Sequence, residues 1–242
     1  MCMALNSFPT IYAVAMEDKP MRYSSTFPLK TIIAHACSLS AERRSELASE
    51  GCLFDDDCDD SISALNPWWG ELTALHWLMQ QPLEGIIGNA QYRRFWADES
   101  LSTVVPNALY LSEPCMFPFS MAIQFQGGHS FPGIELTLDM ARQEDFPFSE
   151  EEMIQVWNSN RFQGGPMAVG SWPLYQKLMT VLFDCLWPIW QAYGKDIQTL
   201  QGYDQRAIAF LAERLLSGIV LMQDKFLPEV TLRTIPLHYI AP

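Results

Sequence analysis

The sequence predicts an α/β fold in a single domain, 1–242, with a mostly parallel central sheet and two long C-terminal helices. Residues 10–16 form a continuous apolar run rich in strand-forming residues, which is typical of a buried parallel strand. Helical patterns over about 172–193 and 203–223 close the chain. A hydrophobic share of 49% in 242 residues supplies enough apolar surface for a large core.

Local start and stop signals predict two helices in the first third of the chain. Ser40 caps a short helix over 40–50, and Gly51 follows it as a natural stop. Asn66 as a cap and Pro67 in the first turn predict a second helix that continues to about residue 80. That second helix is apolar around most of its circumference, so we expect it to be buried.

The rest of the chain carries further signals. Ser149 and Glu152 have the spacing of a capping box and predict a helix that ends near residue 158. The other expected features are strands over 85–88 and about 103–111, a glycine turn over 164–170 that leads into a short strand, a helix over 134–142, an irregular binding loop over 114–132, and a kink at Pro188.

Charge and motif content exclude several classes of protein. The formal net charge is −13, and no basic stripe could displace counterions from a nucleic acid. An anionic membrane surface would repel such a chain. P-loop, GxGxxG and GxSxG motifs are absent from the sequence. A small molecule or a neutral glycan is therefore the expected partner.

The cysteines and the N-terminus indicate a cytoplasmic protein. Six cysteines are spread along the chain without a CxxC pair, which favours free thiols in a reducing compartment. The N-terminus lacks the basic region of a signal peptide, and no apolar run is long enough for a transmembrane segment.

Two adjacent arginines form the best local candidate for an anion-binding site. Arg93 and Arg94 follow a predicted buried strand, so they would lie at its carboxyl end, where α/β proteins bind ligands. Guanidinium groups match phosphate oxygens in a bidentate way. The alternative is a structural ion pair with Glu71, Glu84 or Asp98, and the local sequence leaves both open.

Two other groups are weaker candidates. Asp55, Asp57 and Asp60 lie in an aspartate-rich run that could bind Mg²⁺ or Mn²⁺, although its spacing matches no calcium loop. A solvated acidic loop is the favoured interpretation of that run. His129 follows two glycines, which let the backbone approach a ligand closely, and we place it on the acceptor side of the site.

Four ordered blocks of the chain resemble one bacterial family. The segment DDDCDDSISALNPWWGELTALHWLMQQPLEGIIGNAQYRRFW resembles its ELTALYW and GLCHYRRYF blocks. TIYAVAM is similar to the first strand, and GGPMAVGSWPLYQKLMTVLFDCLW and YDQRAIAFLAERLL are similar to two later blocks. The family comprises capsular and lipopolysaccharide sugar transferases. The resemblance implies a GT-A-like glycosyltransferase fold and a nucleotide-sugar donor, with UDP-sugars favoured.

The resemblance also implies roles for residues. The acceptor would be a hydroxyl of a glycan or a protein, and Mg²⁺ or Mn²⁺ is allowed but not required. The residues implied in catalysis are Arg93, Arg94, Gln91 and Glu71. The residues implied in donor binding are Tyr12, Val14, Asn66, Asn89, Tyr92, Gly164 and Gly165.

The chain departs from the family pattern at two positions. The family histidine before YRR is replaced by Gln91, and glutamine cannot take a proton. The asparagine of the family's NMFIM block is missing, since Gly165 and Pro166 precede Met167. Residues 97–158 align poorly, so the resemblance does not identify the acceptor.

Three functional hypotheses follow. The first is an active glycosyltransferase, in which Arg93 and Arg94 neutralise the departing nucleoside diphosphate. The second is a catalytically inactive module that binds a nucleotide sugar or a glycan on the same scaffold, which the loss of the histidine at Gln91 favours. The third is a structural partner in an assembly, with the eight tryptophans on a contact surface. The first hypothesis predicts a cytoplasmic enzyme or an effector secreted without a cleavable signal.

Overall fold

A computed structural model describes residues 8–19 and 24–240. The strands are β1 (Thr10–Ala15), β2 (Leu29–Ile33), β3 (Leu53–Phe54), β4 (Ile86–Gln91), β5 (Arg94–Trp96), β6 (Ala108–Ser112), β7 (Cys115–Met116), β8 (Arg161–Phe162), β9 (Ala168–Ser171), β10 (Thr231–Ile235) and β11 (Leu237–Tyr239). The α-helices are α1 (Ala41–Ser49), α2 (Asn66–Trp69), α3 (Leu72–Met79), α4 (Asp98–Leu101), α5 (Met121–Gly128), α6 (Gly133–Met140), α7 (Glu150–Asn158), α8 (Trp172–Ile197), α9 (Ala207–Leu221) and α10 (Gln223–Phe226).

The main sheet has the order β10-β6-β9-β4-β1-β2-β3, and β5 and β11 extend it beside β4. Strands β4, β1, β2 and β3 form a continuous parallel block. Strand β9 runs antiparallel to both β4 and β6, and β10 runs parallel to β6. Parallel ladders hold most of the paired residues, as the sequence predicts. Strands β7 and β8 form a separate two-stranded ribbon.

Helices cover one face of this sheet with a large apolar core. The side chains of Tyr12 and Val14 belong to a cluster with residues of α3, α8 and α9, whereas Ala13 belongs to the cluster on the opposite face. This alternation is the two-residue period of a β-strand. All eight tryptophans are buried or partly buried, so they do not form the exposed contact surface of the third hypothesis.

Elements with strong local signals are confirmed. The first strand spans Thr10–Ala15 within the expected run. The Ser40 side chain accepts a hydrogen bond from the Arg43 amide at the start of α1. The capping box of α7 is complete, because Ser149 and Glu152 each accept a hydrogen bond from the other's amide. Both C-terminal helices are present, and each begins or ends within a few residues of the prediction.

Three local predictions are wrong in detail. Asn66 does not cap the second helix; it lies inside the helical turn, and its Nδ2 donates to the carbonyl oxygen of Gly70 at 2.8 Å. The helix then breaks at Gly70, which has a φ of +56° that disfavours other residues. The range 114–132 is no irregular loop, since it contains β7 and α5. Helix α8 continues through Pro188, and the kink expected there stays a prediction.

Two further expectations concern thiols and membranes. The five described cysteines are free, and Cys2 lies outside the described residues. Among residues 8–19 and 24–240, no helix has both the length and the apolar character needed to cross a membrane.

Candidate functional site

Two adjoining cavities open at one edge of the main sheet. The strand-end cavity, of about 240 Å³, is lined by Val14, Ala15, Met16, Lys19, Ala34, Asn66, Pro67, Gly70, Glu71, Gln91, Tyr92, Gly202, Gln205 and Arg206. The arginine cavity, of about 290 Å³, is lined by Glu71, Gln91, Tyr92, Arg93, Arg94, Gln124, His129, Phe162, Tyr203, Arg206, Ala209, Phe210, Glu213 and Arg214. Glu71, Gln91, Tyr92 and Arg206 line both cavities.

Sheet topology explains where these cavities lie. The parallel strands β1, β2 and β4 end at Ala15, Ile33 and Gln91, and residues at or just beyond these ends line the strand-end cavity. Because parallel strands share their carboxyl edge, side chains distant in sequence meet there. The strand-end cavity therefore occupies the ligand crevice expected of an open α/β sheet.

Three arginines in this region have no carboxylate partner. Within residues 8–19 and 24–240, no carboxylate oxygen lies within 4.0 Å of a guanidinium nitrogen of Arg93, Arg94 or Arg206. Each guanidinium instead lies near an aromatic ring, at 5.4 to 5.9 Å from the ring centroid. The arrangement leaves their hydrogen-bond donors for an anion.

The structural ion pair that the sequence left open is not formed. Asp98 instead accepts hydrogen bonds from Ser25 and Thr26. Glu71 accepts a hydrogen bond from Gln91, with 2.5 Å between Oε1 and Nε2. The two guanidinium groups that follow β4 thus line a cavity without forming an ion pair with any described carboxylate.

Glu71 and Gln91 form the wall between the two cavities. Gln91 is the last residue of β4 and is 8% exposed. Its side-chain amide donates a hydrogen bond to Glu71. Glu71 lies at the break between α2 and α3. A neutral amide beside the carboxylate fixes one carboxylate oxygen and leaves the other for a ligand.

An ion pair between the buried Arg214 and the partly buried Glu213 completes the arginine cavity. The Arg214 Nη1 lies 2.9 Å from the Glu213 Oε2 and also donates to the carbonyl oxygen of Phe210, while its Nη2 donates to Gln124 Oε1. Burial raises the pKa of Glu213, and the nearby Glu71 raises it further, against the opposing effect of Arg214. Burial likewise lowers the pKa of Arg214.

His129 also lines the arginine cavity. Its Nδ1 is 3.0 Å from the Asp204 Oδ1, and Asp204 also accepts from the amide of Ser130 at 2.8 Å. The ring of Tyr203 stacks on that of His129 at 5.5 Å. Burial lowers the pKa of His129, and the hydrogen bond with Asp204 opposes this shift without cancelling it.

The glycine turn over 164–170 lies close to Arg94 and Gln91. Gly165 has a φ of +84°, and a Cβ there would lie 3.3 Å from Arg94 Nη1 and 3.5 Å from Gln91 Nε2. Gly164 contacts only the ring of Phe162 by the same measure. Neither glycine lines the strand-end cavity or the arginine cavity, and Gly165 lets the backbone pass close to Arg94.

The residues implied in donor binding do not all line a cavity. Val14, Asn66 and Tyr92 line the strand-end cavity, whereas Tyr12 is buried in the core beside it. Asn89 is also buried: its Nδ2 donates to the carbonyl oxygen of Pro166, and its Oδ1 accepts from the amide of Ala168. Because both ends of its amide are used, we assign Asn89 to holding β4 against the glycine turn and omit it from the donor site.

The three aspartates proposed as metal ligands lie in separate surroundings. The carboxylate of Asp55 is fully buried and accepts hydrogen bonds from two amides and two hydroxyls. Asp57 pairs with Arg44 at 2.5 Å, and Asp60 is exposed. In the part of the chain that the structure describes, no three His, Cys, Asp or Glu side chains are placed to hold a metal ion.

Sequence reasoning missed half of the cavity lining. Tyr203, Arg206, Glu213 and Arg214 line the arginine cavity, and Asp204 contacts His129; all five come from α9 and the 3₁₀ turn before it. No local pattern marks them as neighbours of Arg94. The available signal was the resemblance of YDQRAIAFLAERLL to the closing block of the family, which contains all five residues.

The fold is that of the GT-A-like glycosyltransferases. The apo structure of WbbM, a bifunctional glycosyltransferase, superposes with a TM-score of 0.71 over 96% of this chain, at 16% sequence identity. The chain spans 45% of that protein's length. At this identity the likeness establishes the fold alone.

Sequence comparisons reach a shorter part of the chain. Residues 35–114 match a family described as "Domain of unknown function (DUF4422)". This range contains Glu71, Gln91, Tyr92, Arg93 and Arg94. No curated protein sequence gives a significant match.

Proposed function

We propose that this protein is a glycosyltransferase that moves a sugar from a nucleotide-sugar donor to a hydroxyl acceptor. One observation carries the proposal: Arg93, Arg94 and Arg206, none paired with a described carboxylate, line a cavity at the carboxyl edge of a GT-A-like sheet. With Arg214, the cavity has four cationic side chains against two carboxylates, in a chain of net charge −13. Such a local excess attracts an anion.

The strand-end cavity suits the nucleoside. Its lining combines apolar groups of Val14, Ala34 and Pro67 with polar groups at Asn66 and Gln91. The Asn66 Nδ2 is used by Gly70 and Thr73, and its Oδ1 has no partner among the described residues. A base can therefore pack on the apolar wall and donate a hydrogen bond to that oxygen.

The diphosphate would lie where the cavities meet. Arg206 lines both cavities, and Arg94 lines the arginine cavity close by. Negative charge grows on the diphosphate as the bond to the sugar breaks, so fixed guanidinium groups there stabilise the transition state more than the ground state. Glu71, held by Gln91, would accept a hydrogen bond from a hydroxyl of the donor sugar.

A panel of nucleotide sugars tests this proposal. We expect one donor, with UDP-sugars tried first, to raise the melting temperature and to be hydrolysed slowly, with or without Mn²⁺. Arg94→Ala should weaken donor binding by about tenfold or more, since a charge-assisted hydrogen bond contributes about 1.5 to 3 kcal/mol. Arg142→Ala is the matched control, because Arg142 is exposed and pairs with Glu150 away from both cavities.

The same panel separates catalysis from binding alone. Gln91 in place of a histidine is the observation that favours a catalytically inactive binding module. That alternative predicts a donor that stabilises the protein but releases no nucleoside diphosphate at any Mn²⁺ concentration. If no nucleotide sugar binds, or if Arg94→Ala binds donor as well as Arg142→Ala does, the proposed donor site is wrong.

A further inference from the structure

The arginine cavity contains a histidine and carboxylate pair with the geometry of a proton acceptor. Asp204 is ionised in its environment: burial opposes its ionisation, but hydrogen bonds from Ser130 and His129 outweigh burial and lower its pKa. Because an ionised carboxylate only accepts hydrogen bonds, the proton of the 3.0 Å contact lies on His129 Nδ1. The other ring nitrogen, Nε2, then carries a lone pair.

That Nε2 is not used by the fold. Among the described residues it has no hydrogen-bond partner, and the ring lines the arginine cavity. The ring itself is fixed, because its side chain is only 3% exposed. It packs against the rings of Phe125, Phe210 and Tyr203, with centroids 4.3 to 5.5 Å away.

The position of His129 relative to the two cavities also fits a base that takes the proton of the acceptor hydroxyl. His129 lines the arginine cavity but not the strand-end cavity, so it lies beyond the wall of Glu71 and Gln91 as seen from the nucleoside site. In a direct displacement that inverts the anomeric carbon, the acceptor hydroxyl approaches the donor sugar from the side away from the nucleotide. A base at His129 would meet the hydroxyl on that side.

We propose that His129, oriented by Asp204, is the general base of the transfer reaction and takes over the proton-accepting step that Gln91 cannot perform. This inference rests on the proposed function. His129 Nε2 accepts the proton of the acceptor hydroxyl, while the acceptor oxygen forms a bond to the anomeric carbon of the nucleotide sugar. The bond from that carbon to the phosphate oxygen breaks, and its electron pair leaves with the nucleoside diphosphate. The imidazolium is stabilised by Asp204 and returns its proton to water.

The charged and titratable groups around the ring define its pH dependence. Asp204 and Tyr203 face it from the 3₁₀ turn, and Arg214 faces it from α9. Burial, with Arg214, lowers the pKa of His129, so the neutral base persists below the pH at which an exposed histidine becomes protonated. The acidic limb of kcat/KM should therefore fall below pH 6.5, the ordinary histidine pKa.

The test uses the full chain with the donor that the panel identifies. His129→Asn keeps an N–H for Asp204 but has no proton acceptor, so kcat should fall about 10²- to 10⁴-fold while donor binding stays within threefold. Asp204→Asn is the second variant, and it should lower kcat and move the acidic limb. His35→Asn is the matched control, since His35 lies outside both cavities in the left-handed conformation that asparagine tolerates.

Azide distinguishes a base from a structural histidine. Azide attacks a carbon without losing a proton, so it should restore nucleoside diphosphate release in His129→Asn by at least tenfold and form a glycosyl azide. If azide restores nothing although the variant binds donor, or if kcat of His129→Asn is within threefold of the unmodified protein, the inference is wrong. If the unmodified protein consumes no nucleotide sugar, the proposed function fails first and the inference falls with it.

Discussion

Gly165 shows how a single residue without a side chain sets the position of a functional one. Its backbone has a φ of +84°, and it lies directly behind the Arg94 guanidinium and the Gln91 amide. Gly51 has nearly the same φ, +82°, but nothing lies within 4 Å of where its Cβ would be. Substitutions at the two glycines therefore share the same backbone strain, but only a substitution at Gly165 adds a steric contact with Arg94 and Gln91.

We expect both Gly165→Ala and Gly51→Ala to lose about 1 to 2 kcal/mol of unfolding free energy, the cost of a left-handed conformation in an L-residue. Gly165→Ala alone should also weaken donor binding, because its methyl group displaces Arg94. Urea unfolding and donor titration of the two variants provide the comparison. Equal donor affinity in both would show that the position of Arg94 does not depend on Gly165.

At the scale of elements, α9 with its preceding turn contributes most to the arginine cavity. Arg206, Phe210, Glu213 and Arg214 are spaced four, three and one residues apart, so they share one face of the helix. The break at Gly70 brings α2 close to the start of this helix, where a Cβ on Gly70 would lie 2.9 Å from Arg206 Nη2. A charged helix face is thus packed against the carboxyl edge of the sheet.

The ion pair on that face predicts a strong stability effect. Arg214→Met should destabilise the fold by about 3 to 5 kcal/mol, because it removes a buried guanidinium and leaves the partly buried Glu213 carboxylate without its partner. Glu213→Gln combined with Arg214→Met should recover a large part of that loss, since no charge is then left unpaired. Urea unfolding of the two single variants and the double variant measures the coupling. Additive losses would show that the two side chains act independently.

The outcome for α2 and α5 shows what local patterns do and do not determine. Ser40 and the capping box at Ser149 act through residues three positions away, so their helices were predictable. The break at Gly70 depends on packing against α9, a tertiary contact that no helix propensity encodes. Helix α5 has Ser120 as a true cap, but proline and glycine in the flanking sequence obscured it.

For the whole molecule, charge is distributed unevenly. A net charge of −13 coexists with a cavity that carries two more cations than carboxylates. The composition gives the overall acidic charge, but it could not predict where a few arginines converge. Arg93 and Arg94 were identifiable because they follow a strand end, whereas Arg206 and Arg214 reach the site only through the fold.

The most direct test of the central claim is a crystal structure of the protein with the nucleotide sugar that stabilises it most. We expect the nucleoside to pack against Val14 and Ala34, and the diphosphate oxygens to lie within hydrogen-bond distance of Arg94 or Arg206. A donor bound outside both cavities, or a diphosphate that touches none of Arg93, Arg94 and Arg206, would contradict the assignment of this site.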